Sequence, residues 1–198
     1  MEYKKEKKFY LESKREFQDK GKITRQIKGI RLLLMNSSGR IYLQKRSKTK
    51  SENPGLYDKT VGGHVSAGDS FDMTVIRECA EELGFPAVVV SPKEFKKLIQ
   101  VTDKNIIGIF QKVDELSNFQ SVRIDQYGNS FVQPFMTAIY VGYFDGAIRF
   151  VDGESSGIEV FSFSELQSEL HNTPEKFTED IKFIFKKYGS FLTAIVRD

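Results

Sequence analysis

Between Gly62 and Phe85 the chain reads GGHVSAGDSFDMTVIRECAEELGF, a glycine pair followed by a helical stretch that carries Glu78, Glu81 and Glu82. No other feature constrains the fold as strongly. Residues three and four apart are neighbours on a helix, and at 3.6 residues per turn these carboxylates fall within one wedge of its surface. Three like charges that close repel one another, so the arrangement predicts a positive charge held against them. The same helix has an apolar face. Phe71, Val75, Cys79 and Leu83 recur every fourth residue, with Ile76 and Ala80 widening the stripe. Asp69-Ser70 offer an N-cap and Gly84 a C-terminal stop. One face is for a core, and the neighbouring one is for a cation.

Around this helix the chain alternates strand and helix patterns. From Gln26 to Met35, IKGIRLLLM reads as a strand, Asn36–Gly39 as a turn, and IYLQKR (Ile41–Arg46) as the second arm of a hairpin. KTKSENPG is a polar loop, and Leu56–Val65 a short glycine-interrupted strand and loop. AVVV (87–90), FKKLIQV (95–101), IIGIFQKV (106–113), FMTAIYVGYF (135–144) and IEVFSF (158–163) are further predicted strands. Residues 114–133 are read as a loop or hairpin whose Phe119, Tyr127 and Phe131 are candidates for substrate selectivity, since variable loops usually carry it. Ser162 and Glu165 form a capping box. Thr173-Pro174 is expected to open the last helix, whose buried stripe is Phe177, Ile181, Ile184, Phe185 and Tyr188. The reading is one domain over residues 1–198, with a basic helix or arm at 1–24 and a C-terminal helix within 172–198 packing on the domain.

A net charge of +3 is too small to argue for nucleic acid. One cysteine allows no disulfide within the chain. No apolar run approaches the roughly 20 residues of a membrane span, and MEYKKEKKFY lacks the apolar core of a signal peptide. A cytoplasmic protein without a membrane partner is expected.

The spacing Gly63, five residues, Asp69, seven residues, Arg77-Glu78-Cys79-Ala80-Glu81-Glu82-Leu83-Gly84-Phe85 resembles the Nudix box. Counting Cys79 and Phe85 as apolar, every specified position but one agrees in type; Asp69 stands where the family has Glu. The resemblance implies an α/β Nudix fold, an α/β/α sandwich with a mixed β-sheet and the loop–helix–loop of the box. It implies hydrolysis of a small-molecule diphosphate, a nucleoside diphosphate linked to X or another organic pyrophosphate. Mg²⁺ is the implied cofactor and Mn²⁺ its substitute. Glu78 and Glu82 would ligate the metal, Glu81 directly or through water, and Gly62 through its carbonyl. Arg77 would hold the glutamates, and Glu159 is a further acidic candidate, with Glu154 in the adjacent loop. Oxygen donors of this kind suit a hard cation.

Upstream, Arg46, Lys50, Pro54-Gly55, Tyr57-Asp58 and Gly62-Gly63-His64 resemble the branch that includes isopentenyl diphosphate isomerase and its hydrolase-like relatives. That match implies that Arg46 and Lys50 bind the substrate's diphosphate, with Gly63 and His64 beside it. Gly62 occupies the position of the isomerase cysteine, and the chain has only His64 and His171 as histidines, so isomerase activity is not expected. A sensing module that binds a nucleotide without turning it over is the reading from another class. A homodimer remains open.

Overall fold

Strand β1 (Ile27–Met35) divides the molecule into layers through its alternating side chains. Ile30, Leu32 and Leu34 join one buried cluster, with Val75, Cys79, Leu83, Phe110 and Tyr140. Leu33 and Met35 point the other way, into a cluster with Ile139, Ile181, Ile184 and Phe185. The computed structural model describes residues 12, 15–17, 19–149 and 155–195, with the backbone alone at Ser155. Most of the basic arm, Glu154 and the last three residues lie outside these; Glu12, Arg15–Phe17, Asp19 and Lys20 are helical.

The strands are β1, β2 (Ile41–Arg46), β3 (Tyr57–Asp58), β4 (Ala87–Val89), β5 (Gly108–Ile124), β6 (Ser130–Tyr143) and β7 (Ser155–Phe161). Their order is β3-β2-β1-β6-β5-β4, with β7 on the other edge of β2. β1 runs parallel to β6 and β4 to β5, while β5 and β6 are antiparallel, so the sheet is mixed. Helices α1 (Phe71–Glu78), α2 (Pro92–Val101), α3 (Phe163–Asn172) and α4 (Glu179–Tyr188) complete the α/β fold.

β1 and β2 pair only at Leu34 with Tyr42 and Met35 with Ile41. Beyond that point the chain after β3 takes the place of β2 along β1, through bridges of Leu32 with Val61 and Gly29 with His64. This splay lays the glycine pair beside β1 and opens a cleft.

Three sequence expectations change, and the loop or hairpin expected at 114–133 is a hairpin. FKKLIQV is part of helix α2, because Ser91 and Glu94 form a reciprocal capping box with Pro92 in the first turn; only Phe95 is buried. The 114–133 region is the far half of the β5–β6 hairpin, with Phe119 buried and Tyr127 exposed at its tip. Pro174–Lys176 is a short 3₁₀ turn, and the last helix starts one step later, capped by Thr178. Finally, the box helix is α-helical only to Glu78. Cys79–Leu83 is a π turn ended by Gly84 at φ +75°, and Ile76 and Ala80 fall outside the core.

Candidate active site

Gly63 and Glu78 determine one another. A Cβ on Gly63 would lie 2.5 Å from Cδ and 2.6 Å from Cγ of Glu78. The glycine is there because the carboxylate needs its space. Gly63→Ala should therefore swing Glu78 out of place and weaken Mn²⁺ binding about 10–100-fold, as loss of a supporting contact does; calorimetric titration of Mn²⁺ reads it. A Cβ on Gly62 would meet the stem of Lys59 instead. The carbonyl of Gly63 is taken by the Ile30 amide at 2.8 Å.

Arg77 joins the loop to the helix. Its Nη2 is 2.9 Å from Glu78 Oε1 and donates to the His64 carbonyl at 3.2 Å, and its Nη1 donates to Glu81 at 3.0 Å. It thus gives one nitrogen to each of two carboxylates. Glu78 and Glu82 are buried, 8% and 9% exposed, whereas Glu81 faces solvent. Burial pushes the Glu78 carboxyl above its ordinary value, Arg77 opposes this, and Glu81 adds to it. Cys79, between them in sequence, lies in the core with its thiol raised by burial and the Glu82 charge, which leaves it inert.

Asp69 is not the helix cap. Ser70 is, accepting from the Met73 amide at 3.1 Å. The Asp69 carboxylate stops 4.0 Å from Arg77 Nε, a buried atom without a hydrogen-bond partner. One more methylene would close that gap. Asp69→Glu is expected to stabilise the protein by about 1 kcal/mol, the net worth of one hydrogen bond, with a rise in kcat/KM; thermal melting and initial rates test both.

A cavity of about 460 Å³ brings Gly62, Gly63, His64, Arg77, Glu78, Glu81 and Glu82 together with Arg46 and Lys50. Nine of the predicted site residues thus share one space. Glu159 does not. It sits on β7 opposite Leu43 and accepts from the Tyr57 hydroxyl at 3.3 Å, outside the lining. Asp69 lines a neighbouring hollow beside Lys28 and Asp72.

The opposite wall is cationic: Arg31, Lys59 and Arg123 join Arg46 and Lys50, against Asp58 and Asp180. Sequence reasoning missed these except Arg46 and Lys50. Arg31, 2% exposed, donates to Asp180 at 2.9 Å and to Thr137 at 2.7 Å, and its guanidinium lies 4.3 Å from the Phe119 ring and 4.4 Å from that of Phe135. Lys59 bonds Asp58 at 2.9 Å and lies 3.7 Å from Asp180. Burial by itself would raise Asp58, but Lys59 and Arg46 outweigh it and hold the carboxyl below its ordinary value. Arg46 donates twice to the Glu52 carbonyl, at 3.0 and 2.9 Å, so it latches the loop as well as facing the cavity. Arg123 pairs with the Glu52 carboxylate. His64 stacks on Phe135 and opens to the cavity; enclosure by protein, then the Arg123 charge, pushes its imidazole down to about 4, so it is neutral at pH 7. The one local signal for these residues was charge inside apolar patterns, Arg31 within IKGIRLLLM and Asp180 within the last helix.

Two buried carboxylates, an exposed third on the next turn and a close glycine backbone fit a hard divalent cation. Burial raises the Glu78 carboxyl, and added positive charge would keep it ionised. Among the described residues no three His, Cys, Asp or Glu side chains already converge as a cage; Arg77 now holds Glu78 and Glu81.

Comparison with known proteins accounts for this arrangement. An uncharacterised Nudix hydrolase of Pseudomonas aeruginosa is 37% identical over 75 residues, 38% of this chain and 43% of that protein's length. An isopentenyl-diphosphate Delta-isomerase of Serratia proteamaculans is 26% identical over 159 residues, 80% of this chain and 74% of the isomerase. A crystal structure from Deinococcus radiodurans superposes with a TM-score of 0.56 at 18% identity, covering 81% of this chain and 82% of that one. The NUDIX domain family model matches residues 25–181, from just before β1 into α4. The chain belongs to the NUDIX domain family.

Proposed function

We propose that this chain is a metal-dependent hydrolase that cleaves a diphosphate linkage in a nucleoside diphosphate-X or other organic pyrophosphate. One observation carries the reading: Glu78 and Glu82 are buried together in a cavity wall, against a glycine that leaves room for nothing else. Glu78, Glu82 and, from the solvent side, Glu81 would hold Mg²⁺, with Mn²⁺ as a substitute. When bound, such an ion neutralises phosphate charge and polarises the phosphoryl oxygens. Arg77 keeps Glu78, Glu81 and the His64 carbonyl in register. Glu81, open to solvent on the same turn, would orient the attacking water. The cations of the opposite wall take up the charge of the phosphates.

Isomerase chemistry fits less well in spite of the Serratia relative. Gly62 has no thiol, and His171 lies on α3 outside the cavity lining.

Product release across dinucleoside polyphosphates, nucleotide sugars, ADP-ribose, nucleoside triphosphates and prenyl diphosphates, with Mg²⁺ and with Mn²⁺, tests the proposal. Turnover of one class that vanishes in Glu82→Gln is the expected result. Metal binding with no turnover of any member would favour a sensing module.

A further inference from the structure

One residue of the cavity lining, Asn53, has no part in the chemistry above and yet an unusual backbone. It lies in the loop from β2 to β3, is buried, and takes φ +48°. Among the described residues it is the one non-glycine in that left-handed region. Such a conformation costs energy and persists where the surroundings impose it. Glycine would meet the backbone requirement without strain. What glycine lacks is a side-chain acceptor, and Asn53 uses its own.

The amide of Ile124, the last residue of β5, donates to Asn53 Oδ1 at 2.9 Å, and the Asn53 amide donates to the Ile124 carbonyl at 2.7 Å. A bridge of Glu52 with Asp125 continues the pairing. The loop is thus fastened to the far end of the β5–β6 hairpin. From there it reaches the cations of the cavity. The Glu52 carbonyl accepts from Arg46 Nε and Nη2, and the Glu52 carboxylate pairs with Arg123. Lys50, three residues before Asn53, also lines the cavity. A free loop of this length samples many conformations; the fastened one sets Lys50 and Arg46 at the cavity together.

We propose that Asn53 is a positioning residue: its paired hydrogen bonds with Ile124 clamp the 47–55 loop to the hairpin and so hold Arg46 and Lys50 where the substrate's phosphates bind. This rests on the hydrolase reading above. The clamp acts on binding, because the carboxylates of the box lie on the other wall. Affinity falls in proportion to the fraction of molecules whose loop is in place.

Asn53→Gly keeps the backbone conformation and removes the acceptor, whereas Asn53→Asp keeps both. In Asn53→Gly, KM for the diphosphate that the parent cleaves should rise about tenfold, the result of a loop in place about one time in ten. Its kcat and its Mn²⁺ affinity should stay at the parent values. Brief trypsin digestion cuts an open loop in proportion to its population, and cleavage after the exposed Lys48 and after Lys50 should be about tenfold faster. Asn53→Asp should restore the trypsin resistance and most of the KM. Should Asn53→Gly not fold, Ile124→Pro removes the donor from the other side of the pair and is read in the same way. Unchanged loop cleavage would overturn the clamp. Faster cleavage with KM unchanged, or a loss of kcat or of Mn²⁺ binding in place of the rise in KM, would overturn the positioning role. If no diphosphate is cleaved, the hydrolase reading fails separately, and metal-free calorimetry with pyrophosphate decides. Binding about tenfold weaker in Asn53→Gly than in the parent supports the clamp; equal affinity, or no binding by the parent, refutes it.

Discussion

Glu78→Gln is expected to lower kcat/KM by about 10²–10³-fold, the range for removing one preorganised electrostatic contact, while stability changes by less than about 1 kcal/mol. The two effects separate because Glu78 is a poor stabiliser of the fold. Glu78 is 8% exposed and shares its surroundings with Glu82 and Glu81. The ion pair to Arg77 at 2.9 Å offsets that burial. An amide keeps the shape and one hydrogen-bond acceptor, sheds the repulsion, and loses the charge a metal needs. Rates, Mn²⁺ titration and thermal melting on one preparation measure all three consequences. A variant that melts far below the parent would show that the carboxylate supports the fold rather than the chemistry.

Asp180→Ala should have the opposite profile, a loss of about 3–5 kcal/mol, because it leaves a buried charge without its partner. At this chain length each kcal/mol moves the melting midpoint by roughly 2–4 °C. Asp180 holds Arg31 at 2.9 Å through one oxygen and accepts from Ser121 at 2.7 Å through the other. It is also the first-turn acid of α4, so its removal weakens the junction between that helix and the sheet. The double change Arg31→Met with Asp180→Leu should recover most of the stability, since well-packed apolar replacements of a buried pair are often neutral. It should not recover turnover, because both residues line the cavity.

The same carboxylates set an acid limit. Asp58 and Asp180 are held below their ordinary value of 3.8 because nearby cations outweigh the effect of burial. A depressed carboxyl adds stability at pH values above its unfolded pKa and loses it as the pH falls through the folded one. Unfolding should therefore set in below about pH 4, and the Arg31→Met, Asp180→Leu protein should be less acid-sensitive.

Much of this was legible in the chain. β1 and β2 fall where alternation and turn residues placed them, because a strand's pattern records which face is buried. The stripe from Ile181 to Tyr188 is buried throughout for the same reason in helical form. The Gly63 and Arg77–Glu82 spacing located the acidic wall, since neighbours on one turn are set by helix geometry alone. Local cues in competition were harder to rank. FKKLIQV looks apolar enough for a strand, yet the Ser91–Glu94 box decided for a helix. An α turn and a π turn differ by one hydrogen-bond step, so the exposure of Ala80 had no signature in the letters.

What the sequence determined by itself was therefore the carboxylate wall, a consequence of spacing along a single segment, and, through the resemblance to the Nudix box, the fold class. Only the tertiary structure decided which charges oppose that wall. It left Glu159 off the cavity lining, on β7 at the far edge of β2. It brought in Arg123 from β5, Arg31 from β1, Lys59 from the loop after β3 and Asp180 from α4. These partners are as much as 149 residues apart. Their attraction is small in water and becomes large only when assembled layers exclude solvent, so no local pattern could announce it.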